Sequence, residues 1–109
     1  MQVGKIVITA QDFDRLYNLK TEVKLWERAL HKHHSQELTQ KIEEHVQNIT
    51  ALEDKLIEYI LDIPDPQLRN VIYMRSIEGQ KWSVIASNIG GNNTEDSVRK
   101  MYKRFIDKL

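Results

Sequence analysis

Between Gly4 and Pro64 the chain carries neither glycine nor proline. Glycine loosens a backbone, and proline fixes φ and removes an N–H, so together they punctuate most folds. A long stretch without either can run as helix if its apolar residues recur at a helical period. They do so twice. Leu16, Leu19, Val23, Trp26 and Leu30 alternate spacings of three and four, the period of a coiled-coil seam. Leu38, Ile42, His45, Ile49, Leu52, Leu56, Tyr59 and Ile63 repeat that pattern, and Val46, Ile57 and Ile60 widen the stripe. Asp12 or Asp14 is expected to cap the first helix and Ser35 the second.

At about 1.5 Å per residue, a helix from Gln36 to Ile63 is roughly 42 Å long and needs something to pack against. The segment His31-Lys32-His33-His34-Ser35 is read as a turn that folds the two helices into an antiparallel hairpin. No glycine or proline marks that turn, so one continuous helix, or a coiled coil with a second copy, is the alternative. In a hairpin the shorter first seam leaves Leu56, Tyr59 and Ile63 to be covered by the C-terminal part or by another subunit. Ahead of the helices, Val3, Ile6, Val7 and Ile8 form a β-prone run with no strand to pair with.

Pro64 and Pro66 mark a boundary at which the charge also changes sign. The formal net charge is zero, but residues 1–62 hold eight Lys/Arg against eleven Asp/Glu, and residues 63–109 hold eight against five. The expected organisation is therefore a helical hairpin or oligomerisation region over 1–62 and a more basic domain over 63–109. A polyanion would dock on the second. With no cysteine, disulfides, thiolate metal sites and a cysteine nucleophile are excluded, which suits a reducing cytoplasm. No apolar run approaches the ~20 residues of a membrane span. The first ten residues are read as part of the soluble chain, not as a signal peptide.

Three short helices are expected after the prolines. Asp65 caps the first with Pro66 at its first position, Leu68, Val71, Ile72 and Ile77 supply its apolar face, and Gly79 ends it. The second starts near Trp82 or Ser83 and turns Ile85, Ala86 and Ile89 inward. Gly90-Gly91-Asn92-Asn93 is a turn, and Thr94 caps the third helix. On that helix Val98, Tyr102, Phe105 and Leu109 form a core face. Asp96, Arg99, Lys100, Lys103 and Asp107 point the other way, flanked by Arg104. A short helix, a tight turn and a helix with a cationic outer face is the helix-turn-helix arrangement that enters the DNA major groove. Asn92 and Asn93 in the turn would reach backbone or bases.

These residues also carry a family resemblance. Leu68-Arg69-Asn70-Val71-Ile72-Tyr73-Met74-Arg75, Gly79, Trp82, Ile85-Ala86, Ile89-Gly90 and Val98 resemble the fourth conserved region of bacterial sigma factors. The ending Asp96-Ser97-Val98-Arg99-Lys100-Met101-Tyr102-Lys103-Arg104-Phe105 is similar to the sigma-region-4-like regulators of Gram-positive phages and mobile elements, of the RinA and ArpU type. The resemblance covers under half of the chain. It implies a sequence-specific transcription regulator that binds double-stranded DNA, acting with RNA polymerase at late-gene promoters. It also implies contacts from Thr94, Asp96, Ser97, Arg99, Lys100 and Lys103. Ala86 would sit at the crossing of the two helices. Val98 lies eight positions after Gly90, a longer turn than the family's usual one. Arg69 could touch phosphate, Arg75 is read as a structural ion-pair residue and Trp82 as packing.

No P-loop, dinucleotide fingerprint or nucleophile motif is present, so an enzyme and a bound cofactor are not expected. His31, His33 and His34 are read as a hydrated turn, because zinc wants three or four converging ligands. His45, inside the seam, is read as a satisfied half-buried imidazole. A single helix-turn-helix has a small contact area, so a homodimer or higher homo-oligomer is expected. The rival readings are a phage small-terminase-like packaging subunit and a sigma-like module that binds protein without DNA.

Overall fold

The computed structural model describes residues 7–109. Val3 and Ile6 of the β-prone run lie outside the described residues, and Val7 and Ile8 are irregular backbone ahead of the first helix. Five helices follow: α1 (Ala10–Lys32), α2 (Gln36–Leu61), α3 (Pro66–Ser76), α4 (Trp82–Ile89) and α5 (Glu95–Asp107). The described residues contain no strand, and the architecture is all-α.

The start of α1 lies earlier than its acidic residues suggest. Thr9 is the extended residue before it, and the Thr9 N–H donates to the Asp12 carboxylate at 2.9 Å. Asp12 therefore works one turn inside the helix rather than as its cap, and Asp14 is exposed. Burial of Ile8 and Phe13, absent from the heptad reading, accounts for the extra turn. At the far end, α1 stops at Lys32 because His33 and Ser35 take extended backbone angles. The Ser35 hydroxyl accepts the Leu38 N–H at 3.2 Å and starts α2. An extended residue plus a side-chain cap breaks a helix without any left-handed geometry, so no glycine is needed.

Pairs between α1 and α2 run in opposite order along the two helices. Asp12 meets Lys55 at 3.7 Å, Lys20 meets Glu53 at 2.6 Å, and Glu22 meets His45 at 2.6 Å. The two helices therefore pack antiparallel. The Lys20 ammonium also donates to the Ile77 carbonyl at 2.7 Å, which ties α1 to the end of α3. His45 lies against the Trp26 ring, 4.5 Å between centroids.

The α2 helix ends at Leu61, two residues short of the last seam position. Pro64 disfavours helical angles at the residue before it, so Ile63 leaves the helix yet stays buried. Asp65 then accepts the N–H groups of Gln67 and Leu68, with Pro66 opening α3. Ser76 ends α3, and Gly79 turns the loop three residues later.

The main apolar cluster joins Ile8, Phe13 and Leu16 to Leu52, Leu56, Ile60 and Ile63, and these to Ile72. Tyr59, Phe105 and Ile106 pack around it. Phe105 meets the Phe13 edge at 5.8 Å and the Tyr59 ring at 6.3 Å. The positions of the second seam that outrun the first, Leu56, Tyr59 and Ile63, are thus covered by the start of α1 and by α3 and α5. The core crosses the boundary between residues 62 and 63. Leu56 is 0% exposed at its centre. Leu56→Ala is expected to cost about 2–5 kcal/mol, the range for a large-to-small change in a packed core. Because the cluster is shared, chemical denaturation should remain one transition when followed by Trp26 and by Trp82 separately.

Candidate nucleic-acid interface

A second apolar cluster holds the last three helices together. Val71 from α3, Ile85 and Ala86 from α4, and Val98 from α5 are buried in it, with Met74, Trp82, Ile89 and Met101 around them. Ala86, next to fully buried Ile85, supplies the small contact that lets α4 pack against its neighbours. Tyr102 belongs to both clusters, so α5 is held along most of its length.

The turn from α4 to α5 is made by backbone that only glycine adopts easily. Gly90 sits at φ 72° and ψ −159°, and Gly91 at φ 64°. After it, the side chains assigned to DNA contact are largely occupied by their own turn. Asn93 donates to the Gly90 carbonyl at 3.1 Å and accepts from the Ser97 hydroxyl at 3.3 Å. The Ser97 N–H donates to the Thr94 hydroxyl at 3.1 Å, and the Thr94 N–H to the Ser97 hydroxyl at 2.8 Å. Asn93, Thr94 and Ser97 thus close a capping box and fix the entry angle of α5. Asn92 is exposed and takes no part in that network.

The outer face of α5 carries the charges expected there. Asp96, Arg99, Lys100, Lys103, Arg104 and Asp107 are all exposed. The Lys100 and Lys103 side chains are 63% and 74% exposed. Two of the four cations have an internal partner: Lys100 meets Asp96 at 2.9 Å and Lys103 meets Asp107 at 3.1 Å, each one turn away. Hydrogen bonding to Lys100, then its charge, holds the Asp96 carboxyl below its usual range. Exposed pairs of this kind are weak and screened by salt, so a stronger anion can take the lysine. The Lys103 pair has the acid on the C-terminal side, the less favourable order on a helix. Among the described residues no carboxylate pairs with Arg99 or Arg104. With Glu95 included, α5 carries four cations and three carboxylates. The surface is cationic by placement more than by total.

Two sequence expectations are corrected. Leu109 follows the end of α5 and is 36% exposed, because the helix stops before that position can turn inward. Arg75 makes no ion pair among the described residues. It donates to the Gln80 carbonyl at 3.0 Å and lies 4.4 Å from the Trp82 ring centre, so its structural partner is a π face. Trp82 also meets the Tyr102 edge at 5.4 Å and packs the α4 start onto α5. Arg69 is half-buried and donates to the Ile63 carbonyl at 2.9 Å.

Two exposed cations of the C-terminal part, Lys81 and Lys108, had no place in the sequence reading. Lys81 immediately precedes α4, and no side chain caps that helix start. Its position just before Trp82 was the available signal. At the other end of the molecule His31, His33 and His34 are exposed. Among the described residues no three His or carboxylate groups converge on a metal-sized site.

Burial raises the Tyr102 phenol above its ordinary range, against an opposing contact with the Ser76 hydroxyl at 3.5 Å. The folded chain therefore holds that proton more tightly than the unfolded chain. The contribution is full below the ordinary phenol range and is lost as pH rises through the folded value. Denaturation midpoints should fall in that alkaline window for the native chain, and Tyr102→Phe should remove this component. Gly90→Ala should cost about 1–3 kcal/mol by thermal melt, from its backbone angles alone, since a Cβ there meets nothing within 4 Å. Comparison with protein-family models, with curated proteins and with solved structures found no match to this chain.

Proposed function

We propose that this chain is a sequence-specific DNA-binding transcription regulator of the sigma-region-4-like kind, built as a helical hairpin (α1 and α2) that carries a helix-turn-helix (α4 and α5). One observation supports it above the others. The apolar side of α5 is anchored by Val98, Tyr102 and Phe105, while Arg99, Lys100, Lys103 and Arg104 are exposed on the other side, the two lysines in pairs with acids one turn away. A rigidly held helix with cations outward suits the width of the major groove.

In this reading Arg99 and Lys103, one turn apart, address one wall of the groove. Lys100 and Arg104 meet phosphate, and Lys81 meets the backbone beside the start of α4. Exposed Asn92 contacts DNA, whereas Asn93, Thr94 and Ser97 orient α5 rather than reading bases. Asp96 restrains Lys100 until phosphate replaces it. Four or five cations give modest, salt-sensitive affinity, so two copies binding half-sites about 34 Å apart supply the specificity. RNA polymerase at a phage or mobile-element promoter is the second expected partner. The reading assigns no catalytic residue and no cofactor.

The test is DNA selection from a random pool, followed by affinity measured against salt. Arg99→Ala/Lys103→Ala removes two exposed side chains and should leave the fold intact. At ~0.15 M salt it should weaken binding at least tenfold and reduce the salt slope by about two. Binding as tight as the native chain's would overturn the proposal. A ring of many copies by mass would point to DNA packaging instead.

A further inference from the structure

A cavity of about 300 Å³ lies at the joint between the hairpin and the last three helices. Its walls come from α1, from the end of α3 and the loop after it, from the start of α4 and from α5. The half-buried guanidinium of Arg75 lines it. Of the several N–H donors on that group, the structure accounts for one, given to the Gln80 carbonyl at 3.0 Å. The Trp82 ring, 4.4 Å away, supports the guanidinium but carries no charge to neutralise it. Among the described residues no carboxylate pairs with it. Charges withdrawn from water are ordinarily paired, so Arg75 is a cation that lacks its anion.

Two ammonium groups line the same cavity. Lys20 is engaged by Glu53 at 2.6 Å and by the Ile77 carbonyl at 2.7 Å, whereas exposed Lys24 makes no ion pair among the described residues. Among the described residues Asp14 is the one carboxylate in the lining, so cations outnumber it. Ser76 and Tyr102, with hydroxyls 3.5 Å apart, add polar groups. The remaining walls are flat and apolar. The Trp82 ring forms part of one, and Tyr17, 65% exposed, forms part of another. Tyr17 and Lys24 lie two turns apart on one face of α1, roughly 10 Å along its axis.

The geometry points to a binding site for a small planar aromatic anion, a ring that carries one phosphate or carboxylate group. The anionic group meets Arg75 and Lys24, since a guanidinium fork suits either oxyanion. The ring lies along Tyr17 and Trp82 and covers the exposed tyrosine. The cavity is at the lower end of the size range for small-molecule sites, so the ligand is no larger than a mononucleotide. Its contacts come from α1 on one side and from α3 and α4 on the other, so the ligand ties the hairpin to the last three helices. The site goes beyond the proposed function and does not depend on DNA binding.

Isothermal titration of the full chain without DNA is the test, with AMP as the phosphate probe and naphthoate as the carboxylate probe. Adenosine supplies a ring without the anion, and inorganic phosphate the anion without a ring. At least one aromatic anion should bind with a Kd below about 1 mM and raise the thermal midpoint. Which of the two binds tells a nucleotide from an aromatic acid. Adenosine and inorganic phosphate should bind about tenfold more weakly or not at all. Lys24→Glu and Tyr17→Ala change exposed side chains only. Each should weaken binding about tenfold while the helical circular dichroism stays unchanged. Arg75→Gln should abolish binding, and where it loosens the start of α4 the two α1 variants still decide. Arg99→Ala/Lys103→Ala should leave binding intact. Failure of both aromatic anions, equal binding of inorganic phosphate, affinity untouched by the α1 variants, or loss of binding in the α5 variant would each overturn the inference. DNA affinity is measured separately, so a chain that binds the probe without binding DNA defeats the functional reading and leaves this one standing.

Discussion

Leu56 and Ile60 reach full burial only because helices from both halves of the chain converge on them. The end of α2 brings them, the start of α1 covers one side, and Ile72 and Phe105 close the other. Everything about the candidate interface is set from this point. Phe105 and Ile106 seat the far end of α5 in this cluster, and Val98 seats its near end against Ile85 and Val71. A helix held at both ends cannot roll, so the direction of its charged side is decided by packing and not by the charges themselves.

That order of causes also explains how the turn residues are used. Asn93, Thr94 and Ser97 look like surface polar groups available to a ligand. Each is instead engaged in satisfying the first N–H groups of α5 or in closing the glycine turn. The cations of α5 divide in a similar way. Lys100 and Lys103 are restrained by acids one turn away, while Arg99 and Arg104 are not. Recognition by such a face depends on where the guanidinium and ammonium groups are held, since the balance of charge on α5 is close to even.

Much of the fold was legible along the chain. The long helices followed from the absence of breakers and from the spacings of three and four. Ser35, Asp65 with Pro66, and Thr94 were readable as helix starts, and each forms the expected local contact. Caps are local: donor and acceptor lie within three residues, so the neighbouring sequence contains both partners. The misreadings are of another kind. Thr9 starts α1 because Ile8 and Phe13 find a distant core, and Arg75 lies on a tryptophan seven residues away across a loop. Leu109 fits the helical period but falls after the helix has ended. Each turned on where an element stops or on a partner outside its own turn.

The sequence by itself determined the helices, their caps, the glycine turn and the segregation of apolar from charged positions on α5. Those properties follow from backbone preference and periodicity within a few residues of each other. Only the tertiary structure decided that the two halves share one core, that Tyr102 joins its two clusters, and that Val46 on α2 stays exposed while Ile60 on the same helix is buried. These depend on contacts between residues far apart along the chain, and whether a given apolar face is met or left open is a matter of the geometry that brings such residues together.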